Sequence, residues 1–351
     1  MPIPLEGRKL QLAGGSTYLV SLPKRWVHSS GLKAGDTIFV ETEVDGSVSV
    51  RRQPHEKPAV LRKVFDERGE DTRDHLLRKL IGAYISGFGL IEIRFHPPRG
   101  PFVRRVAREF CHLVIGPEVI EETRTALVIQ DLSDTSELNS EKCLRRMHLI
   151  VRAMLEDAIL ALKTQGTSLA HDVIQRDQDV DRLYWMVAKQ YHVPHPFPSD
   201  LDGRGQAAEI QGHCLVAKLL ERIGDHAERI ASTLTTLGQG KGIDAKLMKE
   251  IEEANASAVN ILDRAFGALI ARDLEAANEA IDGQAEHQKL IDQLSHHVAT
   301  KKGEELLALG TVVDSLGRTA RYAADIAEQG INMAVVAEPA ERTKRAAAAT
   351  A

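Results

Sequence analysis

The chain has 351 residues, 43% of them hydrophobic and 27% charged, with a formal net charge of −5. That length exceeds what one core needs and points to two or three domains, while the mild acidity excludes a whole-chain basic field for nucleic acid or anionic membrane. Aromatic residues make up only 4%, which beside abundant Ala, Leu, Glu and Arg favours helical bundles over all-β architecture.

Residues 1–52 contain four short strand-like runs, Lys9–Ala13, Tyr18–Leu22, Thr37–Glu43 and Ser47–Arg51. Asp45-Gly46 between the last two is a hairpin signal, and Gly14-Gly15 reads as a tight turn, not a phosphate cradle, because no G-K-S/T follows it. Pro23 stands where a helix would begin and Gly31 where it would stop. Trp26 on that helix reads as closing a small core, not as a stacking platform for bases. The series R-K-L-Q-L-A-G-G-S-T-Y-L-V-S-L-P-K-R-W followed by G-L-K-A-G-D-T-I-F-V resembles the AbrB-like swapped-hairpin domain over about 45 residues. A unit this small buries too little apolar surface to stand alone. The resemblance implies two copies interleaved into one barrel, hence a homodimer, and DNA binding through Arg8, Lys9, Lys24 and Arg25. Against that, seven basic residues face Glu6, Asp36, Glu41, Glu43 and Asp45, which is a small surplus.

Residues 53–135 open with the charged, Pro-bearing connector R-R-Q-P-H-E-K-P, begun at Arg51, and then alternate. Helical spacing runs over Arg73–Ser86 and Arg104–Val114, and strand-like runs over Leu90–Phe95 and Ala126–Gln130. The expectation is a small α+β linking domain without a catalytic motif.

Residues 136–336 are nearly all helical in pattern. Leu144, Met147, Val151, Met154 and Ala158 form one apolar stripe, with Gly166 placed as its C-cap. A second helix runs from near Ser168 towards His192, ended by V-P-H-P-F-P-S-D. Four more span about Gln206–Leu237, Asp244–Arg272, Ala276–His297 and Glu304–Ala334. Residues 337–351 are low in complexity and read as a flexible tail.

The segment L-E-R-I-G-D-H-A-E-R-I-A from Leu220 returns in degraded form as L-G-R-T-A-R-Y-A-A-D-I-A from Leu316, and the run beginning at Val173 aligns with the one beginning at Ala280. These paired motifs resemble the PhoU family of phosphate-uptake regulators, whose two tandem three-helix repeats each carry an acidic-x-x-x-Asp element. The fold class expected is therefore multidomain α+β: an AbrB-like swapped-hairpin barrel, an α+β middle unit and an all-α PhoU-like domain of two repeats.

In the first repeat Asp177 and Asp181 lie four apart, as do Glu221 and Asp225, so each helix turns two carboxylates to one side. Oxygen clusters suit a divalent or ferric metal ion, and the resemblance implies such an ion in the first repeat. Acidic pairs at this spacing are also commonplace on solvated faces, and a helical wheel sets Glu221 and Asp225 opposite Ile223 and Ile230. In the second repeat the aligned residues are Gln284, Gln288, Gly317 and Arg321, so the acidic set is lost as a whole. His226 is left out of the site as a packing residue. His296-His297, His192 and His195 lack zinc spacing.

Cys111, Cys143 and Cys214 show no C-x-x-C spacing, which indicates neither a disulfide framework nor a thiolate zinc site. The first residues, M-P-I-P-L-E-G-R-K, lack a signal-peptide pattern, and the longest apolar run, Ile81–Ile91, is about half of a bilayer span. A cytoplasmic protein without membrane insertion is expected. The reading is of a non-enzymatic regulator of phosphate uptake and homeostasis, a DNA-binding transcriptional regulator with a PhoU-like sensor or adaptor domain. The alternative is an adaptor of the phosphate transporter or its signalling kinase, with the AbrB-like segment serving only for dimerisation. Metal-dependent phosphohydrolase chemistry lacks a Lys, Arg or His constellation to accompany the acids.

Overall fold

The structure, a computed structural model, describes residues 7–15, 17–42, 48–52, 60–133, 138–193, 201–237 and 242–337, with main chain only at 41, 201–207 and 337. The chain forms two compact units, residues 1–60 and 61–351.

In the first unit, β1 (Gln11–Ala13) and β2 (Thr17–Leu19) pair antiparallel, with Leu12 opposite Tyr18. Gly14 and Gly15 both hold positive φ between them, +61° and +79°, the conformation that glycine adopts without strain. Helix α1 (Lys24–Ser29) starts after Pro23 and is closed by Gly31 at φ +67°. Strands β3 (Phe39–Thr42) and β4 (Val48–Arg51) form a second antiparallel pair, and the Asp45-Gly46 turn lies outside the described residues. No described residue of this unit is buried, and Leu12, Tyr18, Val40 and Val48 are each more than half exposed.

The second unit begins with a four-stranded sheet of β5 (Arg62–Glu67), β6 (Leu90–Phe95), β7 (Pro117–Glu122) and β8 (Ala126–Asp131), ordered β5-β6-β8-β7. Helix α2 (Arg73–Ile85) crosses between the parallel pair β5 and β6; the other pairings are antiparallel. Helix α3 (Gly100–Leu113) precedes β7. Leu76, Leu80, Tyr84, Val106 and Phe110 of the helices pack with Ile93, Leu127 and Ile129 of the sheet. Edge strands β5 and β7 were not foreseen, because R-K-V-F-D-E and P-E-V-I-E-E carry charges where alternation would show apolar residues. Charged edges protect a sheet from adding further strands.

Six helices follow: α4 (Ser140–Thr164), α5 (Thr167–His192), α6 (Leu201–Leu237), α7 (Ala245–Ala271), α8 (Leu274–Val298) and α9 (Gly303–Ala337). Asn139, Asp244 and Asp273 cap α4, α7 and α8 through side-chain oxygens. Within each trio every helix touches the other two, and the trios join where α6 meets α9 and α4 meets α7. The turn after α4 corrects the sequence reading. Gln165, not Gly166, holds the left-handed conformation (φ +56°), while Gly166 takes the N-cap of α5 at φ −81°. Arg272 does the same after α7 (φ +55°), so the repeat is written into the backbone even where its side chains have diverged.

Helix α5 fastens the bundle to the sheet layer. Lys189, 7% exposed, is ion-paired with Asp131 at the end of β8, lies 3.0 Å from Ser133 Oγ and sits 4.9 Å above the Tyr84 ring. Tyr84 donates to the Ile115 carbonyl at 2.9 Å, and burial raises its hydroxyl pKa. Removing one partner of a buried ion pair strands the other, at about 3–5 kcal/mol. Lys189→Met is therefore expected to lower Tm by several degrees, and pairing it with Asp131→Leu to recover much of the loss. Thermal unfolding of both variants checks this.

Candidate functional site

Four acidic side chains from two helices meet at the α5–α6 contact. Asp177 and Asp181 stand on α5, one turn apart and half-buried; on α6, Glu221 is 9% exposed and Asp225 half-buried. What brings the helices together is Gly224. A Cβ there would sit 3.1 Å from Asp177 Oδ1 and 3.5 Å from Val180 Cγ1, so only glycine lets α6 approach this part of α5 without displacing the carboxylate.

The wheel argument that set Glu221 and Asp225 away from Ile223 and Ile230 does not separate them from the site. Helix α6 packs against α4, α5 and α9, so the side opposite one apolar stripe faces α5 and not solvent.

The electrostatics follow from that enclosure. Burial pushes the Asp177 carboxyl up to about 8, reinforced by the charges of Asp181, Asp225, Glu228 and Glu221. Asp181 is raised to about 6 by burial and by Glu221 and Asp225, and Asp225 is raised by burial and by Glu221. Asp177 Oδ1 and Glu221 Oε2 are buried without a hydrogen-bond partner. Lys218, one turn before Glu221, donates to its Oε1 at 2.6 Å and lies 4.8 Å over the Tyr184 ring. Sequence reasoning missed Lys218, Gly224 and Glu228. The spacing Glu221, Asp225, Glu228 could have added the last, since steps of four and three stay on one helix face.

All-oxygen donors with unpaired buried lone pairs fit a hard cation in kind. As the side chains stand, no three His, Cys, Asp or Glu residues among those described converge closely enough to hold one. Seating an ion would require these carboxylates to converge further, with Glu221 Oε2 free to contribute while Oε1 stays on Lys218.

His226 does not join them. It points to α9, with Nδ1 3.2 Å from Ser315 Oγ and its ring 5.8 Å from that of Tyr322, and burial lowers its pKa to about 4. In the second repeat Arg321 folds back onto its own helix: its Nε donates to the Gly317 carbonyl at 3.1 Å, and its Nη2 lies 3.3 Å from where a Gly317 Cβ would be. A guanidinium thus takes space near Gly317, the residue aligned with Glu221.

At the other candidate site Arg8, Lys9, Lys24 and Arg25 are all exposed, the first two ahead of β1 and the others opening α1. Arg52 has a structural task, donating to the Ser30 carbonyl at 3.2 Å.

Residues 144–234 match the family model of the PhoU domain, and residues 11–58 that of the MazE antitoxin, described as antidote-toxin recognition. Among curated proteins, the phosphate-specific transport system accessory protein PhoU homolog 1 of Thermotoga maritima is 29% identical over 133 residues, covering 38% of this chain and 56% of that protein. The corresponding PhoU homolog of Rhizobium meliloti is 26% identical over 209 residues, covering 56% of this chain and 84% of that one. The chain thus spans little more than half the length of the Thermotoga relative. The crystal structure of PhoU from Pseudomonas aeruginosa superposes with a TM-score of 0.50 at 20% identity, over 57% of this chain and 97% of that one. That of the phosphate transport system regulatory protein PhoU from Streptococcus pneumoniae gives 0.49 at 16% identity, over 57% and 95%. The helical part thus has the PhoU fold, with the PhoU-domain match falling on α4 to α6, and an AbrB-like segment that matches the MazE antitoxin model precedes it.

The raised carboxyls set a pH dependence for metal-free protein. A carboxyl with a higher pKa folded than unfolded binds its proton more tightly in the native state, so its stabilising contribution is lost as pH rises through the folded value. For Asp177 that loss begins near the ordinary carboxyl value, about 4, and is complete near pH 8. The buried histidines His213, His226 and His287 and the half-buried His148, all lowered by burial, act in the opposite sense below about pH 6.5. Between about pH 6.5 and 8.5 the melting temperature in chelator is expected to fall, and Asp177→Asn to flatten that slope and raise Tm at its upper end.

Proposed function

We propose that this chain regulates phosphate uptake as a homodimeric, DNA-binding transcriptional regulator whose PhoU domain senses or relays the state of the transport system. The observation that carries this reading is the joining of a PhoU domain to an AbrB-like unit with no buried residue among those described. Two hairpins exposing Leu12, Tyr18, Val40 and Val48 gain a core only from another copy, and burying such side chains is worth about 1.5–3 kcal/mol each. The two relatives are by name accessory to phosphate-specific transport systems. The same role here is regulatory and not enzymatic, exercised in the cytoplasm, with a transporter component or its signalling kinase as the partner of the helical part. No described helix is long and apolar enough to cross a membrane.

In the dimer, Arg8, Lys9, Lys24 and Arg25 from both copies supply the phosphate contacts. The acidic locus of the first repeat takes one divalent or ferric ion through Asp177, Asp181, Glu221 and Asp225, which relieves the repulsion among them. The bound cation supplies charge neutralisation; the protein supplies the donors and the close helix approach at Gly224. Loss of all four acids in the second repeat makes the chain a one-site protein.

Two measurements test this. Fragmented genomic DNA from the protein's own source is expected to yield bound fragments upstream of phosphate-transport genes. Lys24→Ala with Arg25→Ala should lose them, and the log affinity should fall with log salt by about 0.9 per phosphate neutralised. A folded dimer that enriches nothing, with or without metal, overturns the DNA-binding reading. For the metal, Mn2+ and Fe3+ titrations should raise Tm in the native chain and not in Asp177→Asn/Glu221→Gln; equal shifts in both reject the site.

A further inference from the structure

Helices α4 and α7 run antiparallel where the two repeats meet, since Arg152 bonds Asp263 at 3.0 Å and, further along, Lys163 bonds Glu252 at 2.6 Å. The offset that carries Gln165 onto Arg272 also carries His148 onto Asn255, Glu156 onto Asp263 and Ile159 onto Phe266. The two sides of this contact are therefore pseudo-symmetric, and they can be compared residue by residue.

One side is full. The His148 ring lies flat on Phe266, with centroids 4.3 Å apart and planes 4° from parallel, and His148 Nε2 is 2.9 Å from Asp263 Oδ1. Asp263 thereby engages both an imidazole and the Arg152 guanidinium. On the other side Asn255 and Ile159 replace the imidazole and the phenyl, and a groove of about 530 Å³ opens between Glu156, Ile159, Lys163, Glu252, Asn255 and Val259.

The groove is chemically incomplete. Asn255 is 6% exposed and its enclosed Oδ1 has no hydrogen-bond partner, a deficit of about 1–3 kcal/mol that a donor in the groove relieves once the amide turns towards it. Glu156 is paired with Arg152 at 3.1 Å, but nothing stands to it as the His148 ring stands to Asp263. Both cations at the groove, Arg152 and Lys163, are engaged by carboxylates, and Glu156, Glu252 and Asp263 outnumber them. The surroundings disfavour an anion and favour a flat group that brings N–H donors and positive charge.

We propose that the α4–α7 groove binds a small organic cation of the guanidinium or imidazolium type, its N–H groups on Glu156 and Asn255 and its flat face over Ile159. The ligand takes the place that His148 fills on the opposite side. This site is separate from the acidic locus and independent of the DNA-binding reading.

The test is calorimetric titration of the full chain with agmatine, with a capped arginine peptide in a second arm and inorganic phosphate in a third. Agmatine is expected to bind, and Glu156→Gln, at a surface-facing position, to weaken it about tenfold, or about 1.4 kcal/mol. Asn255→His with Ile159→Phe rebuilds the filled side, and should abolish binding while raising Tm. If the peptide binds more tightly than agmatine, the guanidinium belongs to a partner's side chain, and the chemistry of the site stands. Absence of binding by both guanidinium probes, binding unchanged by Glu156→Gln, or preference for phosphate overturns the proposal.

Discussion

The acidic locus depends on a contact without a side chain. Because residue 224 is glycine, α6 comes close enough for Asp177 Oδ1 to lie 3.1 Å from the place of the missing Cβ. That approach encloses the carboxylates of two helices in one poorly hydrated space, where like charges interact far more strongly than in water. Burial first, and then its neighbours' charge, makes each hold its own proton more tightly, as the raised values of Asp177 and Asp181 record. The same groups on a single exposed helix would be an ordinary solvated face. Enclosure changes them into a site that needs either protons or a cation.

The second repeat shows how such a site is dismantled without losing the fold. Where Glu221 stands in the first repeat there is Gly317, and the Arg321 guanidinium, aligned with Asp225, folds back to within reach of the space that a side chain would take. The second repeat thus sets a cation of its own where the first sets its carboxylates. The apolar residues that hold the bundle together, Leu220 and Ala227 in one copy and Leu316 and Ala323 in the other, are buried alike. The helical architecture thus persists where the acidic set does not. The α4–α7 contact shows the same divergence in another place, since there α4 supplies the filling ring, His148, and α7 supplies Asn255 at the matching position.

Much of this was legible in the sequence, for reasons that differ by element. Long amphipathic helices declare themselves through period, so the extents of α4 to α9 fall within a few residues of expectation, α6 apart. The acidic pairs are visible because i, i+4 spacing has one geometric meaning on a helix. Edge strands β5 and β7 are hidden by their charges, and the cap at Gln165 is hidden because a local rule assigns left-handed turns to glycine. Whether Glu221 and Asp225 would meet Asp177 and Asp181 could not be read from one helix at a time. It turns on α6 being enclosed by three neighbours, which is a property of packing and not of spacing. For the same reason the orphaned oxygen of Asn255 is invisible until the helices are assembled.

Helix α5 joins these levels. Its middle carries Asp177 and Asp181, and its last third carries Trp185 against the sheet core and Lys189 in the buried pair with Asp131. From residue 181 to residue 189 is about two turns, or roughly 12 Å at 1.5 Å per residue. A helix of that length is stiff, so a shift in the balance of charge at one end cannot be absorbed between the two points. It must either be resisted by the Lys189–Asp131 pair or move the sheet layer with it. The pair is costly to break and is held further by Ser133 and Tyr84, so the second course is the easier one. The acidic locus and the α/β layer are in this sense two ends of one rigid element.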